Sequence, residues 1–143
     1  MIRCYIAGPI RKGDLAGNIK RACDVGRAFA KLGYAIMVPH LSCYFDGTLA
    51  SPSQCRVNGE WNCDNDGIIP QAVNSLNAVE WLAIDLAWIE AADILTRING
   101  ESEGADAEVK HAEMMGIPVF YVDGVEDVSD VHCEIQMLEK VAL

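Results

Sequence analysis

The feature that most constrains this chain is an alternation of short apolar runs with longer stretches of helical period. Arg3–Ala7 (RCYIA) is an apolar run closed by Gly8-Pro9, which reads as a strand and a turn. From Asp14 to Leu32, the residues Ile19, Ala22, Cys23, Gly26, Phe29 and Ala30 recur at helical spacing. Gly33 stands just past the last periodic residue, where a helix stops. Tyr34–Val38 (YAIMV) reads as a second strand ended by Pro39. A strand, helix and strand in this order favour a parallel pair joined by a right-handed crossover.

The alternation resumes further along. Leu76–Ala91 reads as a helix, Ala92–Ile98 (ADILTRI) as a third strand and Asn99–Gly104 as a loop. Ala105–Met115 reads as a helix stopped by Gly116, and Ile117–Val122 (IPVFYV) as a fourth strand. Asp127–Val141 closes the chain as a helix with Val131, Ile135, Leu138 and Val141 on one side. The expected fold is α/β: a single doubly wound, flavodoxin-like or Rossmann-like parallel sheet of four to five strands with helices on both faces. No repeat or second boundary is visible, so residues 1–143 read as one domain with a long loop insertion at about 41–75. That stretch, Leu41–Ser75, is rich in Gly, Asn, Asp, Ser, Pro and Cys and has no sustained period. It reads as a functional lid or binding loop, or else as a tolerated surface insertion.

Composition narrows the partners. Hydrophobic residues make up 51% of the chain and charged ones 22%, enough apolar content for a packed core and too much for disorder. Lys+Arg number 11 against 21 Asp+Glu, a formal charge of -10, which repels nucleic-acid polymers and anionic membrane surfaces. A small phosphorylated ligand remains compatible, since a few local cations or backbone amides suffice. Met1–Ile10 lacks the pattern of a signal peptide, and Ala78–Leu95 is interrupted by Glu80, Asp85, Glu90 and Asp93, so no membrane span is expected. The six cysteines are not paired as CxxC, and reduced thiols in a cytoplasm are the expectation. A zinc site on His40, Cys43, Cys55 and Cys63 is disfavoured by the eight-residue gap between the last two, and no metal or cofactor is expected. A cysteine nucleophile paired with His40 is less favoured still.

In a doubly wound sheet the ligand lies beyond the carboxyl ends of the strands, so residues just after each strand matter most. Strand one is followed by Gly8-Pro9-Ile10-Arg11-Lys12-Gly13, either an anion site or an ordinary turn with exposed cations. After strand three, Ser102 and nearby amides offer a second anion contact at a helix start. Glu108 lies in the first turns of that helix, where the macrodipole is expected to keep it ionised as a nucleophile or electrostatic stabiliser. The alternative is an acidic residue that only stabilises its own helix. Trp81, Asp85 and Trp88 are spaced i, i+4, i+7, so they share a face. There Asp85 is either a desolvated carboxyl holding a proton near neutrality, or solvated beside exposed tryptophans. Asp93 opens the third strand, where bonding to nearby backbone is the favoured role. Tyr5 sits mid-strand, where core packing is usual, unless its hydroxyl reaches the pocket to orient a carboxylate.

Three segments together resemble one family. Tyr5-Ile6-Ala7-Gly8-Pro9-Ile10 resembles the Y-x-(A/C)-G-(P/S)-I opening of the nucleoside 2-deoxyribosyltransferase superfamily. Asp85-Leu86-Ala87-Trp88-Ile89-Glu90-Ala91-Ala92-Asp93 is similar to its D-L-x-W-(I/L)-x-x-A-D segment. Ser102-Glu103-Gly104-Ala105-Asp106-Ala107-Glu108, with Gly116-Ile117-Pro118-Val119 after it, is similar to its S-x-G-x-x-x-E segment and following strand. The resemblance implies cleavage or transfer at an N-glycosidic bond of a (2′-deoxy)nucleoside or its 5′-monophosphate. It implies Glu108 as nucleophile, Asp85 as the acid that protonates the departing base and Tyr5 as the group holding Glu108. Gly8, Ile10, Arg11, Ser102, Gly104 and Asp93 would bind substrate. Ile10-Arg11-Lys12-Gly13 and Ser102 are similar to the phosphate-binding elements of the deoxynucleoside 5′-monophosphate N-glycosidases, whereas Pro9 departs from that subgroup's serine. A homodimer or higher homo-oligomer is also implied. The competing expectation is a non-catalytic nucleotide-binding or sensor module on the same fold.

Overall fold

The computed structural model describes residues 1–42, 56–57, 60–61 and 76–141. Its main sheet has four parallel strands: β1 (Arg3–Ala7), β2 (Ala35–Met37), β5 (Ile94–Ile98) and β6 (Val119–Val122), in the order β2-β1-β5-β6. The strands run parallel throughout, with Tyr5 opposite both Met37 and Leu95, and Leu95 opposite Val119. Two short strands, β3 (Arg56–Val57) and β4 (Glu60–Trp61), pair antiparallel within the 41–75 stretch read as loop. Apart from Leu41 and Ser42, the remainder of that stretch lies outside the described residues, as do Cys43, Cys55 and Cys63.

Alternation along the strands sends side chains to two cores. Cys4, Ile6, Ile94, Ile98, Phe120 and Val122 meet Ala22, Val25 and Phe29 of α1 (Leu15–Lys31) and Val128, Val131 and Ile135 of α4 (Val128–Val141). Tyr5, Ala7 and Leu95 face the other way, onto Ile89 of α2 (Ala78–Glu90) and Ala105 and Ala112 of α3 (Glu103–Met114). Helices therefore cover both faces, as the strand–helix alternation predicts.

Local chemistry sets the ends of the elements. Gly33 and Gly116 take φ of +93° and +73°, the left-handed conformation that closes α1 and α3 at little cost only for glycine. Asn77 and Glu80 form a reciprocal cap at the start of α2: Glu80 N donates to Asn77 Oδ1 at 2.9 Å, and Asn77 N donates to Glu80 Oε2 at 2.8 Å. Two expectations need correction. The second strand is three residues, although Tyr34 and Val38 at its flanks are buried. The apolar side of α4 ends at Ile135, with Leu138 and Val141 exposed.

Candidate active site

The carboxyl ends of β1 and β5, with the starts of α2 and α3, enclose a pocket of about 310 Å³. Glu108 and Asp85 both line it, one from α3 and one from α2. Tyr5 reaches the same place from beneath. It is 1% exposed on the central strand, and its hydroxyl donates to Glu108 Oε1 at 3.1 Å. Its ring is core, as its strand position suggests, yet its hydroxyl reaches the pocket, and Asp85 lies near enough for that hydroxyl to favour its charged form as well.

Burial governs the proton affinities here. Burial pushes Asp85 up to about 6, opposed by the hydrogen bond from Tyr5. Burial first, then the charge of Asp85, pushes Glu108 up to about 8, against the pull of Tyr5 and Arg97. The expectation of a Glu108 held ionised by its helix is therefore corrected. Glu108 is the sixth residue of α3, past the single turn over which a macrodipole acts, and it is only 7% exposed. Between about pH 6 and about pH 8 the pair carries one proton, a property of the pair rather than of either residue.

The opposite wall comes from the two strand-end loops. Gly8, Ile10, Arg11, Ser102 and Gly104 all line the pocket, as the sequence anticipates. Gly8 leaves no room for a side chain, since a Cβ there would sit 3.0 Å from Ile98 Cβ. Ser102 caps α3 by accepting from Ala105 N at 3.2 Å, which leaves its own O–H free to donate into the pocket. Lys12 pairs with Glu101 across the mouth, and among the described residues Arg11 makes no ion pair. Glu101 and Glu103 also line the pocket, so carboxylates outnumber cations there.

Asp93 is not part of this site. It stands at the amino end of β5, where its carboxylate accepts from Arg3 N at 2.7 Å, Arg3 Nε at 3.0 Å and Arg3 Nη2 at 2.7 Å. The Arg3 guanidinium and amide hold it down at about 2. Its role is to tie two strands together, the backbone role its position favours.

Sequence reasoning missed Asn18 and Arg97, which shape the pocket, and considered His40 only as a metal ligand or a nucleophile's partner. Asn18 Nδ2 donates to the carbonyls of Ile10 at 3.1 Å and Lys12 at 2.8 Å and so fixes the first loop. His40 is 1% exposed with Nε2 3.0 Å from the Pro9 carbonyl, and burial lowers it to about 4. It is thus a neutral prop beneath the Gly8-Pro9 turn rather than a free metal ligand. Arg97 is buried at the end of β5. A polar residue just past a strand and its closing proline was the available signal for His40. Arg97 had none, since an arginine inside an apolar run reads as exposed.

A second cavity, of about 620 Å³, adjoins Asp85 on the far side and is walled by Met37, Trp81, Ile84 and Trp88. Asp85 thus sits between a chamber rimmed by charged side chains and an aromatic one. Among the described residues no cluster of three or more His, Cys, Asp or Glu is arranged to hold a metal, and no helix is long and apolar enough to cross a membrane. No family model, curated protein or solved structure matches the chain.

Proposed function

We propose that this protein cleaves or transfers the N-glycosidic bond of a nucleoside or nucleoside 5′-monophosphate. The observation that carries the reading is the Tyr5–Glu108 hydrogen bond at 3.1 Å beside Asp85 in one pocket. Glycoside cleavage with retention needs two carboxyls in different roles. A pair that carries one proton near neutrality supplies both. Glu108, its charge favoured by Tyr5, attacks the anomeric carbon, and the electron pair of the breaking C–N bond passes to the base. Asp85 gives that base its proton. The glycosyl ester on Glu108 is then opened by water, yielding free sugar, or by the nitrogen of a second base, yielding a new nucleoside. As the carbon becomes cationic it draws the negative charge onto Glu108, so the proton favours Asp85 when it is needed.

The aromatic chamber beside Asp85 suits a flat base, and the chamber with Ser102 and Arg11 suits the sugar and its 5′ substituent. Glu101 and Glu103 at that end favour an uncharged 5′-hydroxyl, whereas the Ser102 O–H and Arg11, which makes no ion pair among the described residues, favour a phosphate. A panel of nucleosides and matching monophosphates, with and without an acceptor base, decides both questions. Free base or exchanged nucleoside is expected, together with a sugar adduct on Glu108 detectable by mass spectrometry of a quenched reaction. Thermal stabilisation by a nucleotide with no turnover across the panel would instead favour a binding module.

A further inference from the structure

Two strand-end loops meet at the mouth of the pocket, and the backbone of each is pinned. In the loop after β1, Asn18 Nδ2 donates to the carbonyls of Ile10 at 3.1 Å and Lys12 at 2.8 Å. In the loop after β5, the buried Arg97 guanidinium donates to the carbonyls of Ile98 and, at 2.8 Å, Gly100. Gly100 adopts φ of +135° against Pro9, where a Cβ would meet Pro9 Cγ at 2.7 Å, so only glycine fits. The backbones that carry Lys12 and Glu101 are therefore fixed, and the side chains between them are the movable part. Lys12 Nζ donates to the Glu101 carboxylate, and both side chains line the pocket. They are 52% and 81% exposed, so water screens the pair and holds it to a weak interaction. Among the described residues Glu101 has no second hydrogen-bond partner. Arg11 and Ser102 line the same pocket, Arg11 without an ion pair among the described residues and Ser102 with its O–H free to donate. Of these three donors, Lys12 alone is already held by a carboxylate of the protein.

We propose that Glu101 is a specificity-determining residue for a phosphate group: its carboxylate occupies Lys12 as an internal competitor that only a more highly charged ligand displaces. A phosphate monoester carries a charge of about −1.5 to −2 at pH 7 and three acceptor oxygens, so it engages Lys12, Arg11 and Ser102 together. Glu101 offers a single charge to one of them, and a singly charged ligand gains no advantage over it. Once displaced, Glu101 turns into water with no change of backbone. The inference rests on reading the pocket as a nucleotide site, and it assigns the 5′ end of that site to a phosphate in spite of the carboxylates beside it.

The test is a phosphorus-31 NMR titration of the full chain with inorganic phosphate at low ionic strength. Glu101→Gln changes an exposed side chain and is expected to bind phosphate about fivefold more tightly than wild type. Adding Lys12→Gln to it should erase that gain. Glu103→Gln removes an equal charge from the same pocket and leaves the Lys12 pair in place, so its gain should be clearly smaller. Equal affinity of Glu101→Gln and wild type, or binding by neither, overturns the proposal. A gain that survives Lys12→Gln, or that Glu103→Gln matches, overturns it too, because Glu101 would then act through total charge and not by holding Lys12. Inorganic phosphate has no glycosidic bond, so turnover does not enter this readout. The Glu101 proposal and the glycosidic reading therefore fail separately: cleavage of unphosphorylated nucleosides would survive the loss of the first.

Discussion

Tyr5 shows how one side chain can serve core and chemistry together. Its ring fills the layer beneath α2 and α3 while its hydroxyl reaches Glu108. Tyr5→Phe keeps the ring and removes the donor to a carboxylate, a bond of about 1.5–3 kcal/mol. We expect kcat to fall by roughly 10- to 100-fold with the fold intact, and both limbs of the activity profile to move to higher pH, since both carboxyls lose a group that favours the anion. The profile itself is expected to be bell-shaped, with limbs near about 6 and about 8, because activity needs one proton on the pair. Asp85→Asn removes the acid and should lower kcat by roughly 10²- to 10⁴-fold on ordinary nucleosides. A nucleoside whose base is already cationic, such as a 7-methylated purine, leaves without that proton and should retain most of its rate. Equal losses on both substrates would remove Asp85 from the role of acid.

At the level of elements, the stops were legible and the electrostatics were not. Gly33 and Gly116 mark helix ends because their chemistry is local, a left-handed turn, whereas the Ser102 cap lay in a stretch read as loop. Asp85 was legible as an interruption in an apolar face, since helical spacing alone shows it. The state of Glu108 was not, because it depends on how deeply α3 is covered by distant residues. Asp93 illustrates the same limit, for its partner Arg3 is ninety residues away in sequence. Ser102 offers a test at this scale, because it both caps α3 and faces the pocket. Ser102→Ala should cost about 1 kcal/mol of stability. Ser102→Asp keeps a capping oxygen and adds a negative charge, so it should melt near wild type. If a 5′-phosphate binds here, Ser102→Asp raises KM for a monophosphate at least about tenfold and leaves the free nucleoside nearly unchanged. Equal KM changes for both would place the phosphate elsewhere.

The whole molecule carries a formal charge of -10, yet its pH response is governed by buried groups that the total does not reveal. His40 is lowered by burial to about 4 from an ordinary value of 6.5. The unfolded chain therefore binds that proton first, and His40 lowers stability as pH falls through this window. Glu108 acts in the opposite sense. Its folded value of about 8 lies above the ordinary 4.5, so the folded protein holds a proton that the unfolded chain has released. Stability from this source is full below the lower value and is lost as pH rises through the higher one. Asp85, raised to about 6, behaves alike over a lower range. Above pH 6.5 the rest of the His40 titration in the unfolded chain adds only about 0.4 kcal/mol and that of folded Asp85 removes about 0.2 kcal/mol, so Glu108 dominates. From there to pH 8 the wild-type protein should lose about 1.5 kcal/mol, which is roughly 4–7 °C in Tm for a domain of this size. Glu108→Gln cannot ionise and should be nearly flat across the same interval, so it becomes the more stable protein at alkaline pH. That crossing is the expected signature of a carboxyl retained for reactivity at a cost in stability. Melting curves of the two proteins at matched ionic strength measure it directly, and parallel losses with rising pH would show that Glu108 does not hold the proton.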